Sequence, residues 1–187
     1  MPQYPRAEYH LDNDEAKIRS LQFTCDPHSD KSRWISPANH KGTLVMHTTN
    51  HPLAVNYIAD DRKSILVRLD DQLLHSILSE VETKVLAASP NPQATQPLIQ
   101  HDESGKYPDS LKLKCAFTNW VDANTGEPME EALASRSIRL TSWCINVYRL
   151  NEFRGRWYFG VNLLAAKVSR AEPTANNGGR EDFTRFL

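Results

Sequence analysis

Apolar and polar residues alternate with period two over most of this chain. Across residues 137–168, Ser137, Arg139, Thr141, Trp143, Ile145, Val147 and Arg149 fall on one face, and Ile138, Leu140, Ser142, Cys144, Asn146 and Tyr148 on the other. Residues 156–168 are rich in aromatic and branched side chains, as a second strand would be. Asn151 and Gly155 mark a short basic turn between the two, so the pattern predicts one long hairpin. Upstream, residues 41–48, 53–58 and 64–69 read as three strands joined by turns at 49–52 and at Asp60–Asp61, an antiparallel meander. The period then changes. Leu73, Leu74, Ile77, Leu78, Val81, Val85 and Leu86 share one face of a helix over residues 70–87, with Asp70 or Asp71 available as its cap. Pro90, Pro92 and Pro97 interrupt that pattern and predict a long, partly mobile loop over 88–108. Order returns where Leu111, Leu113, Cys115 and Phe117 alternate with Lys112, Lys114, Ala116 and Thr118, a strand with one apolar face.

The two ends lack this regularity. Residues 1–30 are polar and acidic and read as an N-terminal arm with one short strand or helical turn near 16–23; residues 171–187 read as a flexible tail. Residues 31–170 then form one domain, long enough to bury a core without staples. Three strands, a helix, a Pro-rich loop and about three more strands predict a mainly β, α+β chain. That is the layout of an OB-like barrel of five or six strands with its principal helix after the third.

The net charge of −1 conceals an uneven distribution. Residues 1–30 hold three basic and six acidic side chains, whereas 105–170 hold ten and six. From Arg136 to Arg170 there are seven basic groups and a single acid, Glu152, interleaved with Trp143, Tyr148, Phe153, Trp157, Tyr158 and Phe159. Cations track a phosphate backbone and exposed rings stack on unpaired bases, so this segment points to single-stranded nucleic acid. Lys112, Lys114, Arg139, Arg149, Arg154 and Arg156 are the expected phosphate contacts. Trp143, Tyr148, Phe153, Trp157 and Tyr158 are the expected stacking rings, with Trp120 beside a turn as a further one. Some of these rings must be core, because adjacent strand positions face opposite ways. Trp143 and Tyr158 are the favoured ones, and Phe153 is placed with Arg154 in the hairpin tip, which reads as a mobile binding loop.

Other chemistry finds little support. The chain has no phosphate-binding glycine loop, no dinucleotide fingerprint, no paired-histidine zinc motif and no nucleophile elbow. Cys25 and His28 have a metal-compatible spacing but no second pair, and Asp60–Asp61 and Asp70–Asp71 fall where turns and helix starts favour Asp anyway. The expectation is therefore a non-enzyme without metal or cofactor. Cys25, Cys115 and Cys144 lack paired spacing, and no apolar run reaches the roughly 20 residues of a membrane span. Both observations predict a soluble, intracellular protein.

The stretch Tyr107, Pro108, Leu111, Lys112 and Lys114, followed later by Trp157, Gly160 and Lys167–Val168, resembles the single-stranded DNA-binding proteins of tailed phages and nucleocytoplasmic large DNA viruses. The likeness covers roughly residues 40–170. It implies an OB fold that coats unpaired DNA during replication and recombination. The tail residues Glu181, Asp182, Phe183 and Phe186 resemble the partner-docking tips of such proteins, although Arg180 and Arg185 dilute the acidity. The rival reading is a viral structural or scaffolding protein that uses the same aromatic–arginine hairpin as a protein–protein surface. RNA as the ligand, and self-association, stay open at this level.

Overall fold

The computed structural model describes residues 6–40, 42–129, 131–134 and 137–170. In chain order it holds β1 (Arg6–His10), α1 (Glu15–Ser20), β2 (Phe23–Ser29), β3 (Ser32–Pro37), β4 (Thr43–Thr48), β5 (Leu53–Ile58), β6 (Ser64–Arg68), α2 (Gln72–Ala88), β7 (Ile99–Gln100), β8 (Ser110–Lys114), β9 (Asn119–Asp122), β10 (Ile138–Phe153) and β11 (Arg156–Arg170). The last two are the long predicted hairpin. Their turn is tighter than the sequence suggests, because Phe153 still pairs with Arg156 and only Arg154 and Gly155 lie between them. Both have positive φ, 52° and 79°, the geometry that lets a two-residue turn follow the twist of its strands. Phe153 therefore sits on a strand end and not in a mobile loop.

Five strands close into a barrel. β10 pairs β5, β5 pairs β6, β6 pairs β8, β8 pairs β11, and β11 returns to β10 along almost its whole length. The chain is thus mainly β with one principal helix, an OB-like α+β fold. The expected three-strand meander is corrected in one respect: β4 and β5 do not pair with each other. Both run antiparallel along the same edge of β10, β4 opposite Trp143–Val147 and β5 opposite Arg139 and Leu140. Residues 49–52 are a kink in one long path. Pro52 has no N–H for a ladder, and the Asn50 and His51 side chains are held by Asp12.

Helix α2 follows β6 as the periodicity predicts. Leu74, Ile77, Leu78, Val81 and Val85 are buried in the core, where each fully buried side chain contributes about 1.5–3 kcal/mol. The Asp71 carboxylate accepts the Leu74 N–H at 2.9 Å and caps it. The segment expected as a polar arm does more than lead in. β1 pairs in parallel with β4, β2 pairs with β3, and Tyr9, Leu11, Ile18, Leu21 and Phe23 are buried with the barrel core. None of its charged side chains is fully buried, and several tie it to the rest of the fold. Arg19 reaches Ser76 and Glu80 on α2, and the Lys84 ammonium donates to the Leu21 carbonyl at 2.8 Å.

The loop over 88–108 is anchored. Gln96 N–H donates to the Trp157 carbonyl at 2.8 Å, Ile99 N–H donates to the Glu82 carboxylate at 3.0 Å, and β7 pairs with β8. Between those pins it stands beside the barrel face as a wall.

Candidate nucleic-acid interface

Three register slips in β10 decide which of its side chains face outward. They fall at Leu140/Ser142, Cys144/Ile145 and Val147/Arg149 against β11, and each such bulge adds a residue that breaks strict alternation. The buried positions are Ile138 and Leu140, then Trp143, Ile145, Asn146 and Val147, then Leu150. The face predicted to carry Arg139, Trp143 and Arg149 together does not exist. Trp143 is 3% exposed, and its indole N–H donates to the His51 carbonyl at 2.7 Å. Trp157 is buried as well, beneath the Arg33 guanidinium at 5.3 Å. Neither ring is open to a ligand. Trp120 lies half-buried on β9 opposite Ala166, packed on the core. Arg139 is exposed at the start of β10, ten positions and roughly 30 Å from Arg149.

The remaining predicted residues come together on the outer face of β8, β11 and β10. Lys112 and Lys114 point outward from β8 while Leu111 and Leu113 point in. The Lys114 ammonium lies 5.8 Å from the centre of the Tyr148 ring. Arg149 sits 5.0 Å from that ring and 4.8 Å from Trp34. Trp34 and Tyr148 are 6.2 Å apart, and His28 lies 4.7 Å from Trp34. Beyond them, Phe153 and Tyr158 are exposed beside Arg154 and Arg156, with Arg154 5.0 Å from the Phe153 ring. Among the described residues, Lys112, Lys114, Arg149, Arg154 and Arg156 form no ion pair, and Arg149 Nε, although buried, has no hydrogen-bond partner. Exposed cations without carboxylate partners, and a guanidinium with one N–H still unsatisfied, are suited to phosphate oxygens.

Trp34 and His28 are the members that the sequence reading missed. They arrive on the β2–β3 hairpin, because β3 pairs with β10 and sets Trp34 opposite Arg149. The available signal was the short run Lys31, Arg33, Trp34, which repeats the hairpin's chemistry on a small scale. Gly160 lies beneath this cluster: a Cβ there would stand 3.1 Å from Tyr148 Cε1, so the tyrosine ring packs on bare backbone and would have to shift by a few tenths of an ångström for any side chain.

A groove of about 860 Å³ runs along the same face. Lys112, Lys114, Asn151, Phe153, Tyr158 and Phe159 form its floor, and residues 96–103 of the anchored loop form its wall. Asp109 holds that wall through hydrogen bonds to His75 on α2 (2.7 Å) and to the wall's own His101 (2.8 Å). Burial raises the Asp109 pKa, but those two imidazole bonds outweigh it and hold the carboxyl below its usual range. Burial pushes the Cys25 and Cys115 thiols up to about 11 and raises Cys144, so all three stay protonated and unreactive near neutrality. The described residues contain no cluster of His, Cys, Asp and Glu that would hold a metal ion, and no helix long and apolar enough to cross a membrane. The tail residues Glu181, Asp182, Phe183 and Phe186, like Arg136, lie outside the described residues.

This outer face of an OB-like barrel, lined by cations that form no ion pair among the described residues and by half-exposed rings, has the chemistry that suits an extended polyanion. No family model matches the sequence, and no curated protein matches it. Among solved structures, the chain is similar to the single-stranded DNA-binding protein from bacteriophage Enc34 in complex with ssDNA, at 9% identity and a TM-score of 0.49 over 82% of this chain and 98% of that one. The same phage protein without DNA matches at 9% identity and a TM-score of 0.49, over 89% of this chain and 99% of that one. These proteins belong to the group that the sequence resembles. At such identity and score the likeness carries no residue, ligand or role to this chain.

Proposed function

We propose that this protein binds single-stranded DNA with little sequence preference and protects unpaired DNA during replication or recombination. The observation that carries the reading is the continuous track on one barrel face: a groove from Phe153 and Tyr158 past Lys112 to Lys114, with Tyr148, Arg149 and Trp34 clustered beside its Lys114 end. Rings there would stack on bases, each typically contributing about 1–3 kcal/mol, and the cations would contact the phosphates between them. Duplex DNA is too wide and too stiff to lay its bases on these rings, so the unpaired strand is the fitting ligand. The role assigned to the chain involves no bond-making step.

The test is intrinsic tryptophan fluorescence titrated with oligo-dT, with oligo-rU as the RNA comparison. Trp143 and Trp157 are buried and Trp120 is half-buried against the core, so quenching should come from Trp34 and vanish in Trp34→Phe. Five cations neutralising five phosphates predict a slope of about −3.5 in log affinity against log salt, roughly a hundredfold loss for a fourfold rise in salt. A blank titration together with a blank gel shift at low salt would leave the face to a protein partner.

A further inference from the structure

Phe117 contradicts its own sequence pattern. Alternation with Leu111, Leu113 and Cys115 predicts it in the core, yet β8 ends at Lys114 and Phe117 is 100% exposed. Fully burying a Phe side chain typically yields about 1.5–3 kcal/mol, and here that gain is forgone. Nor is this loop a loose end. Cys115 N–H donates to the Lys63 carbonyl at 2.8 Å, Thr118 N–H donates to the Cys115 carbonyl at 3.4 Å, and the Thr118 hydroxyl donates to the Leu163 carbonyl at 2.6 Å. The residues on both sides of the ring are thus tied, Cys115 through its backbone to the β5–β6 turn and Thr118 through its hydroxyl to β11. An apolar ring left in water on a tied loop is placed to meet a ligand that arrives from outside, because the loop itself has little backbone ordering left to lose on contact.

We propose that Phe117 is an end platform of the single-strand track, stacking on one further unpaired base beyond Lys114. The inference rests on the single-stranded DNA reading of the groove. Continuity supports it: Lys112, Lys114 and Phe117 follow one another along a single chain path, and Phe117 lies at most about 11 Å beyond Lys114. Lys114 also pairs in register with Asn162 of β11, the strand whose Leu163 carbonyl anchors the Phe117 loop. The charges around the ring nearly cancel. The exposed β5–β6 turn carries Arg62 and Lys63 against Asp60 and Asp61, and the Asp61 carboxylate is engaged by the Lys63 N–H at 2.9 Å. Phe117 therefore adds affinity through ring contact alone, and its contribution does not change with salt. The lysine contributions do.

The experiment is an oligo-dT length series measured by fluorescence anisotropy with the full chain, comparing the wild type with Phe117→Ala and Phe117→Trp. The shortest oligonucleotides that bind should bind all three equally. Longer ones should bind Phe117→Ala roughly five- to a hundredfold more weakly, by the same factor at low and high salt, with Phe117→Trp restoring affinity. A terminal 2-aminopurine should be quenched by the wild type at one end of the oligonucleotide only, and not by Phe117→Ala. Equal affinity of Phe117→Ala and wild type at every length overturns the platform while leaving the groove intact, and the ring would then belong to a protein contact. No binding by any variant at low salt overturns the platform and the groove reading together.

Discussion

Two tryptophans of similar sequence context lie in opposite environments. Trp143 is enclosed and spends its N–H on the His51 carbonyl, whereas Trp34 lies among Arg149, Tyr148 and His28. Trp143→Ala should cost about 3–5 kcal/mol in urea unfolding, the range for removing a buried aromatic, with unchanged DNA affinity per folded molecule. Trp34→Ala and Tyr148→Ala should do the reverse, each weakening DNA by about 1–3 kcal/mol with a nearly unmoved urea midpoint. If Trp143→Ala lost affinity at constant stability, the assignment of faces on β10 would be inverted. Residue type alone does not separate these two indoles. Strand parity does, and parity is reset by the bulges.

The elements are joined by a side-chain clasp that the sequence does not display. His51, in the kink between β4 and β5, hydrogen-bonds to Asp71 at the start of α2 through Nδ1 (2.6 Å) and to Asp12, in the segment after β1, through Nε2. Thr48 and Asn50 also donate to Asp12, and His10 lies 3.6 Å from it. Burial disfavours the charged imidazole, but the hydrogen bonds to Asp71 and Asp12 outweigh it and raise the His51 pKa above 6.5. For Asp12 and Asp71 burial acts upward, and the donors around them outweigh it, so both fall below 3.8. The histidine contribution is fully present below pH 6.5 and lost as pH rises through its raised folded pKa. The carboxylate contributions are present above 3.8 and lost as pH falls through their lowered values. The clasp is therefore strongest between those limits. The urea midpoint should fall from about pH 6 to about pH 9, and His51→Gln should flatten that fall; an identical slope in the variant would rule the clasp out as its source.

At the scale of the whole molecule, binding depends on where charge lies and not on its sum. A chain of net charge −1 still presents on one face five cations that form no ion pair among the described residues. The same scale decides what the N-terminal residues are for. Tyr9, Leu11, Ile18 and Leu21 are buried in the common core, and β1 extends the sheet beyond β4. Removing residues 1–21 should abolish the single cooperative urea transition of the intact chain, followed by circular dichroism. A detachable arm would leave that midpoint where it was.

Local order was largely legible in the sequence. The helix from Gln72, the β8 lysine face and the long hairpin each follow from a periodicity that backbone geometry imposes within one element. So does the chemistry of the site, because cations and rings interleaved along neighbouring strands suit phosphates and bases wherever the strands lie. Only the tertiary structure decided which rings face outward from the barrel, since bulges in β10 depend on its pairing with β11. Likewise it brought Trp34 beside Arg149 across more than a hundred residues of chain, drew β1 into the core, and left Phe117 in solvent where alternation would bury it. Each of these outcomes is set by a partner strand distant in sequence, and a pattern read within one segment contains no term for that partner.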